Sequence, residues 1–248
     1  MVALKCDSHI SASLAMYGES TRDEVAMCLA LVKQGDTVLD IGANIGTFTV
    51  PLALAVGQRG QVIAFEPQRI VYQCLCANLA INSLSHYVDP VRAGVGAENG
   101  AASIAQINPF QKSNNVGGVR LNQESELSEQ VPLVTVDSMN MAACNLIKID
   151  VEGMEHLVLA GAADTVKRCR PNIFAECLTG DETNAAGLKA FFSAHNYKAW
   201  LTSVPLFSPA NVRLCQADIF GEQYDHNVVA IPAEQPTPDW IKNATEFK

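Results

Sequence analysis

Asp36-Thr-Val-Leu-Asp40-Ile-Gly42-Ala-Asn44-Ile-Gly46-Thr-Phe-Thr-Val50 decides the fold. An apolar strand runs into an acid and then directly into a glycine turn that opens a helix, the layout of a nucleotide pocket at the carboxyl end of a parallel strand. Gly42 and Gly46 let backbone approach a ligand without a Cβ in the way, and the amides opening the next helix point into the same crevice. A dinucleotide fingerprint needs G-x-G-x-x-G, but Asn44 stands at the middle glycine and Asp40 would repel a pyrophosphate. S-adenosylmethionine carries a sulfonium and an ammonium and no phosphate, so the same acid attracts it. The local charge favours this cofactor over NAD.

A second apolar run, Gln61-Val-Ile-Ala-Phe65, ends at Glu66. A carboxylate at the tip of the second strand offers two oxygens to two ribose hydroxyls, a device that NAD enzymes share. Apolar strands then alternate with helical segments: strand 37–41, helix 46–56, strand 61–65, helix 70–82 and strand 88–95. After a break the rhythm resumes with strand 146–150, helix 154–169, strand 172–176, helix 184–195 and strands 197–201 and 227–231. This is the pattern of an α/β, doubly wound, mostly parallel sheet.

One domain is expected over 1–248, since the chain is of single-domain length with an ordinary 48% of hydrophobic residues. An N-terminal segment, 1–35, includes an amphipathic helix over 24–33 stopped by Gly35. The stretch 101–136 reads as an inserted hairpin or loop on the ligand side, with Asn114, Asn115, Gly117 and Gly118 as a polar ligand loop. The stretch 205–226 is far longer than a hairpin needs and reads as a lid or binding loop. The proline-rich 232–248 reads as a surface extension.

A net charge of −9, with only 17 Lys and Arg and no basic stripe, argues against a nucleic-acid substrate. No stretch of about 18 apolar residues runs uninterrupted, so no membrane span is expected. The opening Met1–Ser8 lacks a basic segment followed by an apolar one, and the expectation is a cytoplasmic protein. Eight scattered cysteines without a C-x-x-C pair fit buried free thiols in a reducing compartment better than a zinc site.

Lys148, Asp150 and Glu152 alternate with Ile147, Ile149 and Val151, so the charged three share one face while the backbone stays extended. Charges on a buried strand belong at its carboxyl end, over the crevice where α/β proteins bind ligands. Asp150 or Glu152 is placed to accept a hydroxyl proton, with His226 reaching in from the long loop as a further candidate base. The alternative for Asp150 is an ion pair with Lys148 that fixes the sheet end. Glu19 is a candidate for the cofactor's ammonium and Tyr17 for packing near its methionine arm, while Glu176 ends its strand where it can line an acceptor pocket. Asp137, Asp225 and Glu176 make a conceivable metal set, but no tight ligand spacing supports it, and no metal is assigned.

Four segments, Tyr17-Gly18-Glu19, Val38 to Thr49, Val62-Ile-Ala-Phe-Glu-Pro67 and Leu146-Ile-Lys-Ile-Asp-Val-Glu-Gly153, resemble in order and spacing the FkbM family of S-adenosylmethionine-dependent methyltransferases. The most specific part is Lys148 to Gly153, and the chain departs from the usual pattern at Ser20, where the family tends to carry an aromatic. The resemblance implies the seven-stranded, Rossmann-like class I methyltransferase sheet with an antiparallel strand, and O-methylation of sugar or polyketide-type hydroxyls. The residues expected to hold the cofactor are Tyr17, Glu19, Asp40, Gly42, Asn44, Gly46, Phe65, Glu66, Pro67 and Asp150. The expected partner is a hydroxyl-bearing, carbohydrate-like or natural-product-like small molecule, and a homo-oligomer is compatible with the sequence. The competing readings are an NAD-dependent oxidoreductase, disfavoured by Asn44 and Asp40, and a non-catalytic S-adenosylmethionine-binding or interaction module.

Overall fold

The computed structural model describes residues 1–108, 110 and 115–248; Asn114 of the expected polar loop lies outside the described residues. The chain begins with helices α1 (Ile10–Tyr17) and α2 (Arg22–Ala30), then β1 (Thr37–Ile41), α3 (Thr49–Val56), β2 (Gln61–Phe65) and α4 (Arg69–Ile81). Next come β3 (Val88–Val91), β4 (Gly94–Val95), β5 (Gly100–Ala105), β6 (Ser128–Val134) and β7 (Leu146–Ile149). The remainder is α5 (Glu155–Ala160), α6 (Ala163–Cys169), β8 (Asn172–Glu176), α7 (Glu182–Ala194), β9 (Tyr197–Pro205), β10 (Tyr224–Pro232) and β11 (Thr245–Glu246).

The main sheet has eight strands in the order β11-β9-β10-β8-β7-β1-β2-β3. Its β8-β7-β1-β2-β3 part is parallel, whereas β10 runs antiparallel to both β8 and β9, and β11 antiparallel to β9. The expected seven-stranded sheet therefore gains one strand, and the tail supplies it. Residues 232–248 are no loose extension: Ile241 is buried among α2, α3 and the sheet, and β11 covers the edge of β9.

Alternation along the strands builds two cores. Val38, Val62, Leu146 and Phe174 pack toward α2, α3 and α4, while Leu39, Ile147 and Ile173 pack toward α5, α6 and α7. The expected strand 88–95 divides at residues 92–93: β3 stays in the main sheet, and β4 pairs with β6 in a second, three-stranded sheet completed by β5. The expected helix 154–169 divides at Gly161, where any Cβ would lie 2.1 Å from the Gly96 carbonyl oxygen, so glycine alone allows the chain to pass there. The helix predicted over 46–56 begins only at Thr49, because the turn from Gly42 to Phe48 completes the ligand crevice.

Candidate functional site

A cavity of about 470 Å³ opens over the carboxyl ends of β1, β2, β7 and β8, within the usual size for a small-molecule site. At one end, Glu66 follows β2, is 3% exposed and is held from both sides. The Asn44 amide donates to Oε2 at 3.0 Å and the Gln68 amide to Oε1 at 2.8 Å. Burial pushes its carboxyl up to about 7 against those two bonds, with Lys148 opposing and Asp150 adding to the rise. Two carboxylate oxygens with lone pairs left over, facing a cavity, suit a pair of ribose hydroxyls. Phe65, Pro67, Val119 and Leu121 line the same cavity, and Gln68 donates from Nε2 to the Val116 carbonyl, drawing the inserted segment toward this end. Asn115 and Gly117 of the expected polar loop also line it.

The glycine turn works differently from the expectation of open backbone against a ligand. Gly42 has φ +77°, and a Cβ there would lie 1.8 Å from the Asp150 carbonyl oxygen; the residue is glycine so that the turn can cross the end of β7. A Cβ on Gly46, at φ +96°, would lie 2.9 Å from Leu75 of α4. Gly42 nonetheless lines the cavity, whereas Gly46 packs beneath it. Asn44, at φ +49°, occupies the left-handed region that Asn tolerates better than most residues, and it too faces the cavity.

Asp40 and Lys148 are not cavity residues. Asp40 is 0% exposed, accepts from the Thr49 hydroxyl at 2.6 Å and lies 3.3 Å from Lys148 Nζ. Lys148, 2% exposed, donates to the Gly42 carbonyl at 2.9 Å, sits over the Phe48 ring and reaches Asp150 at 3.4 Å. Burial alone would lower the Lys148 pKa, but the two carboxylates outweigh it and hold the ammonium charged. This buried bridge ties the glycine turn to β7. The sequence reading that set Asp40 against the sulfonium is thus corrected: the charge of Asp40 is spent on Lys148.

Asp150 serves both sides, pairing with Lys148 while its side chain, 42% exposed, lines the cavity. Glu152 also lines it, but at φ +57°, so the charged three do not share one extended face; β7 ends at Ile149 and the turn delivers Glu152 separately. Burial, then Asp150 and Glu155, push Glu152 up to about 7, opposed by Arg120. Glu176 joins them at the end of β8, as expected, and burial followed by Asp150 raises it well above the carboxylate range. Beneath this group Glu155, fully buried, accepts from the Val151 and Gly153 amides and from Asn184, which fixes the turn.

Two further acids arrive from distant segments. Glu24 of α2 is 6% exposed, accepts from Asn227 Nδ2 at 2.6 Å, and is raised by burial and then by Asp225. No local signal marks Glu24, which sits 203 positions from its partner. His226 lies in β10, not in a loop; its neighbours Asp225 and Asn227 line the cavity and it does not, as strand alternation requires.

Tyr17 and Glu19 also sit outside the cavity. The Tyr17 hydroxyl donates to the Ala217 carbonyl and accepts from the Ile219 amide, both at 2.9 Å, and its ring packs on Phe207 and Phe220. Tyr17 therefore pins segment 206–223 to α1, and the pinned pair covers the cavity with His9, Ile10 and Ser13 from one side and Leu206, Phe220 and Gln223 from the other. Glu19 pairs with Arg22 at 3.5 Å. The metal set weighed from sequence does not assemble: Asp137 accepts from the Asp164 and Thr165 amides instead, while Asp150, Glu152 and Glu176 come together.

Comparison with known proteins bears on the family and the fold. Methyltransferase 1 of Beauveria bassiana is 26% identical over 147 residues, covering 51% of this chain and 58% of that protein. Hexuronic acid methyltransferase AglP of Haloferax volcanii is 26% identical over 150 residues, covering 59% of this chain and 58% of that protein. The chain thus spans somewhat over half the length of these relatives. The crystal structure of methyltransferase FkbM from Methylobacillus flagellatus KT shares the fold, with a TM-score of 0.57 at 18% identity over 81% of this chain and 44% of that one. The methyltransferase FkbM domain model matches residues 40–199, from the acid of the glycine turn to β9, and the chain belongs to that family.

Proposed function

We propose that the protein transfers a methyl group from S-adenosylmethionine to a hydroxyl of a sugar or related small metabolite. The observation that carries this reading is one cavity with an amide-held carboxylate, Glu66, at one end and the Asp150, Glu152 and Glu176 carboxylates at the other. The cofactor supplies a methyl activated by positive sulfur: as the O–C bond forms, the C–S bond breaks and its electron pair returns to sulfur.

The chain's own contribution is alignment and proton removal. Glu66 is suited to hold the ribose, and the covering segments Ile10, Leu206 and Phe220 to exclude water. A sugar hydroxyl is a weak acid, and its proton must leave as the bond to carbon forms; Asp150, kept in place by Lys148, is suited to accept it. Hexuronic acid methylation by the Haloferax relative supports a carbohydrate acceptor.

The test is thermal shift followed by transfer. S-adenosylmethionine or its demethylated product raises the melting temperature, by linkage worth about 2.7 kcal/mol at a hundredfold excess over Kd, and NAD does not. Tritium from labelled S-adenosylmethionine then appears in a sugar acceptor, with Asp150→Asn lowering turnover by about 10² to 10⁴ while cofactor affinity changes much less. Stabilisation by NAD alone refutes the reading, and transfer to an amine or carbon acceptor refutes its acceptor class.

A further inference from the structure

Asp150, Glu152 and Glu176 each present a carboxylate oxygen to a common point, the three atoms lying within 4.8 Å of one another. They come from two strand ends, β7 and β8, that the parallel pairing sets side by side. Crowding of this kind is costly where the groups are partly buried, and among the described residues no cation reaches all three carboxylates. Lys148 touches only Asp150 of the three and already serves Asp40 and the Gly42 carbonyl, and Arg120 stands on the Glu152 side. A second observation points the same way. Glu176 Oε2 is enclosed, with no solvent-accessible surface to speak of, and receives no hydrogen bond among the described residues. A buried carboxylate oxygen without a donor is one that awaits a partner.

We propose that Asp150, Glu152 and Glu176 bind one divalent cation of the oxygen-preferring kind, Mg²⁺ or Mn²⁺, at the acceptor end of the cavity. Metal–oxygen bonds of about 2.1 Å place ligand oxygens about 3 Å apart in cis and about 4 Å apart in trans, so small side-chain movements bring the three into one coordination sphere. Three carboxylates leave the remaining positions to water and to acceptor hydroxyls, the arrangement by which such ions orient a substrate and polarise an oxygen. A divalent ion also offsets two of the charges gathered here, which an organic ammonium does not. The role assigned to the ion, holding the acceptor oxygen, rests on the methyl-transfer reading; the site itself does not.

Binding is measured directly on the full chain after chelator treatment, by titrating Mn²⁺ and following free Mn²⁺ by electron paramagnetic resonance, with no cofactor or acceptor present. The expected result is one Mn²⁺ per chain, displaced by Mg²⁺ but not by methylammonium. Glu176→Gln and Glu152→Gln each weaken it tenfold or more, whereas Glu182→Gln on the exposed start of α7 changes it less than threefold. Circular dichroism melting accompanies each variant; removing a charge from the crowded group leaves the fold intact, and if one variant fails to fold the other decides. Absence of stoichiometric Mn²⁺ binding, indifference to both substitutions, or displacement by methylammonium overturns the proposal. Since cofactor binding and tritium transfer are read separately, Mn²⁺ can fail to bind while methyl transfer stands, and the reverse.

Discussion

Replacing Glu66 with Gln tests the proposed cofactor end most directly, because the residue is buried and each of its two oxygens accepts a backbone amide. Gln keeps the shape but turns one acceptor into a donor, so either the Asn44 or the Gln68 amide faces an NH₂ and a ribose hydroxyl loses a charged acceptor. Hydrogen bonds to charged groups are worth about 1.5 to 3 kcal/mol, so affinity for S-adenosylhomocysteine should fall by roughly 10- to 150-fold in calorimetry. The wild-type pH dependence supplies an independent signature. Glu66 titrates near 7 with Lys148 and Asp150 as the charges that act on it, and ribose hydroxyls favour its ionised form. Affinity is therefore full at pH 8 and about tenfold weaker at pH 6, where a proton must first be removed. The sign for stability is opposite: the folded state holds this proton more tightly than the unfolded chain, so Glu66 contributes a loss of roughly 3 kcal/mol as pH rises from about 4.5 to about 7. In Glu66→Gln both the affinity step and this share of the stability slope disappear. Unchanged affinity, or the same tenfold step in the variant, refutes the placement of the ribose on Glu66.

Lys148→Met leaves Asp40 buried and without its ammonium, and urea unfolding should report a loss of about 3 to 5 kcal/mol; a loss under about 1 kcal/mol would show the bridge to be dispensable. Gly42→Ala drives a Cβ into the Asp150 carbonyl at a left-handed position, and should cost more than about 4 kcal/mol or abolish folding, whereas a well-folded variant with a native melting curve contradicts the packing described. Tyr17→Phe removes both hydrogen bonds to segment 206–223 and should speed limited proteolysis within it about tenfold, corresponding to about 1.4 kcal/mol of local opening; an unchanged nicking rate means that other contacts hold the cover.

The order of strands and helices, the glycine turn and the acid after β2 were legible from local pattern, because each rests on period-2 or period-3.6 spacing and on turn chemistry within a few residues. The gathering of Glu66, Asp150 and Glu176 at strand ends was legible as well, since a parallel sheet places carboxyl ends together, whereas Glu152 reaches the cavity through the turn after β7 and not on the extended face its alternation suggested. What the linear chain did not disclose was the partner of each charge. Asp40 and Asp150 both end in acid-bearing strand positions, yet the register of β1 against β7 sets Asp40 opposite Lys148 and buries it, while Asp150 stays at the rim. Tyr17 and Glu24 carry no local mark of their roles, because Ile219 and Asn227, their partners, stand some 200 positions away. The tail likewise reads as polar and proline-rich, and only the open edge of β9 gives it a place. Local sequence determines which conformation a segment prefers and which chemistry it carries. Which carboxylate meets an ammonium and which is left facing the cavity depends on long-range register and burial, and those exist only once the sheet has closed.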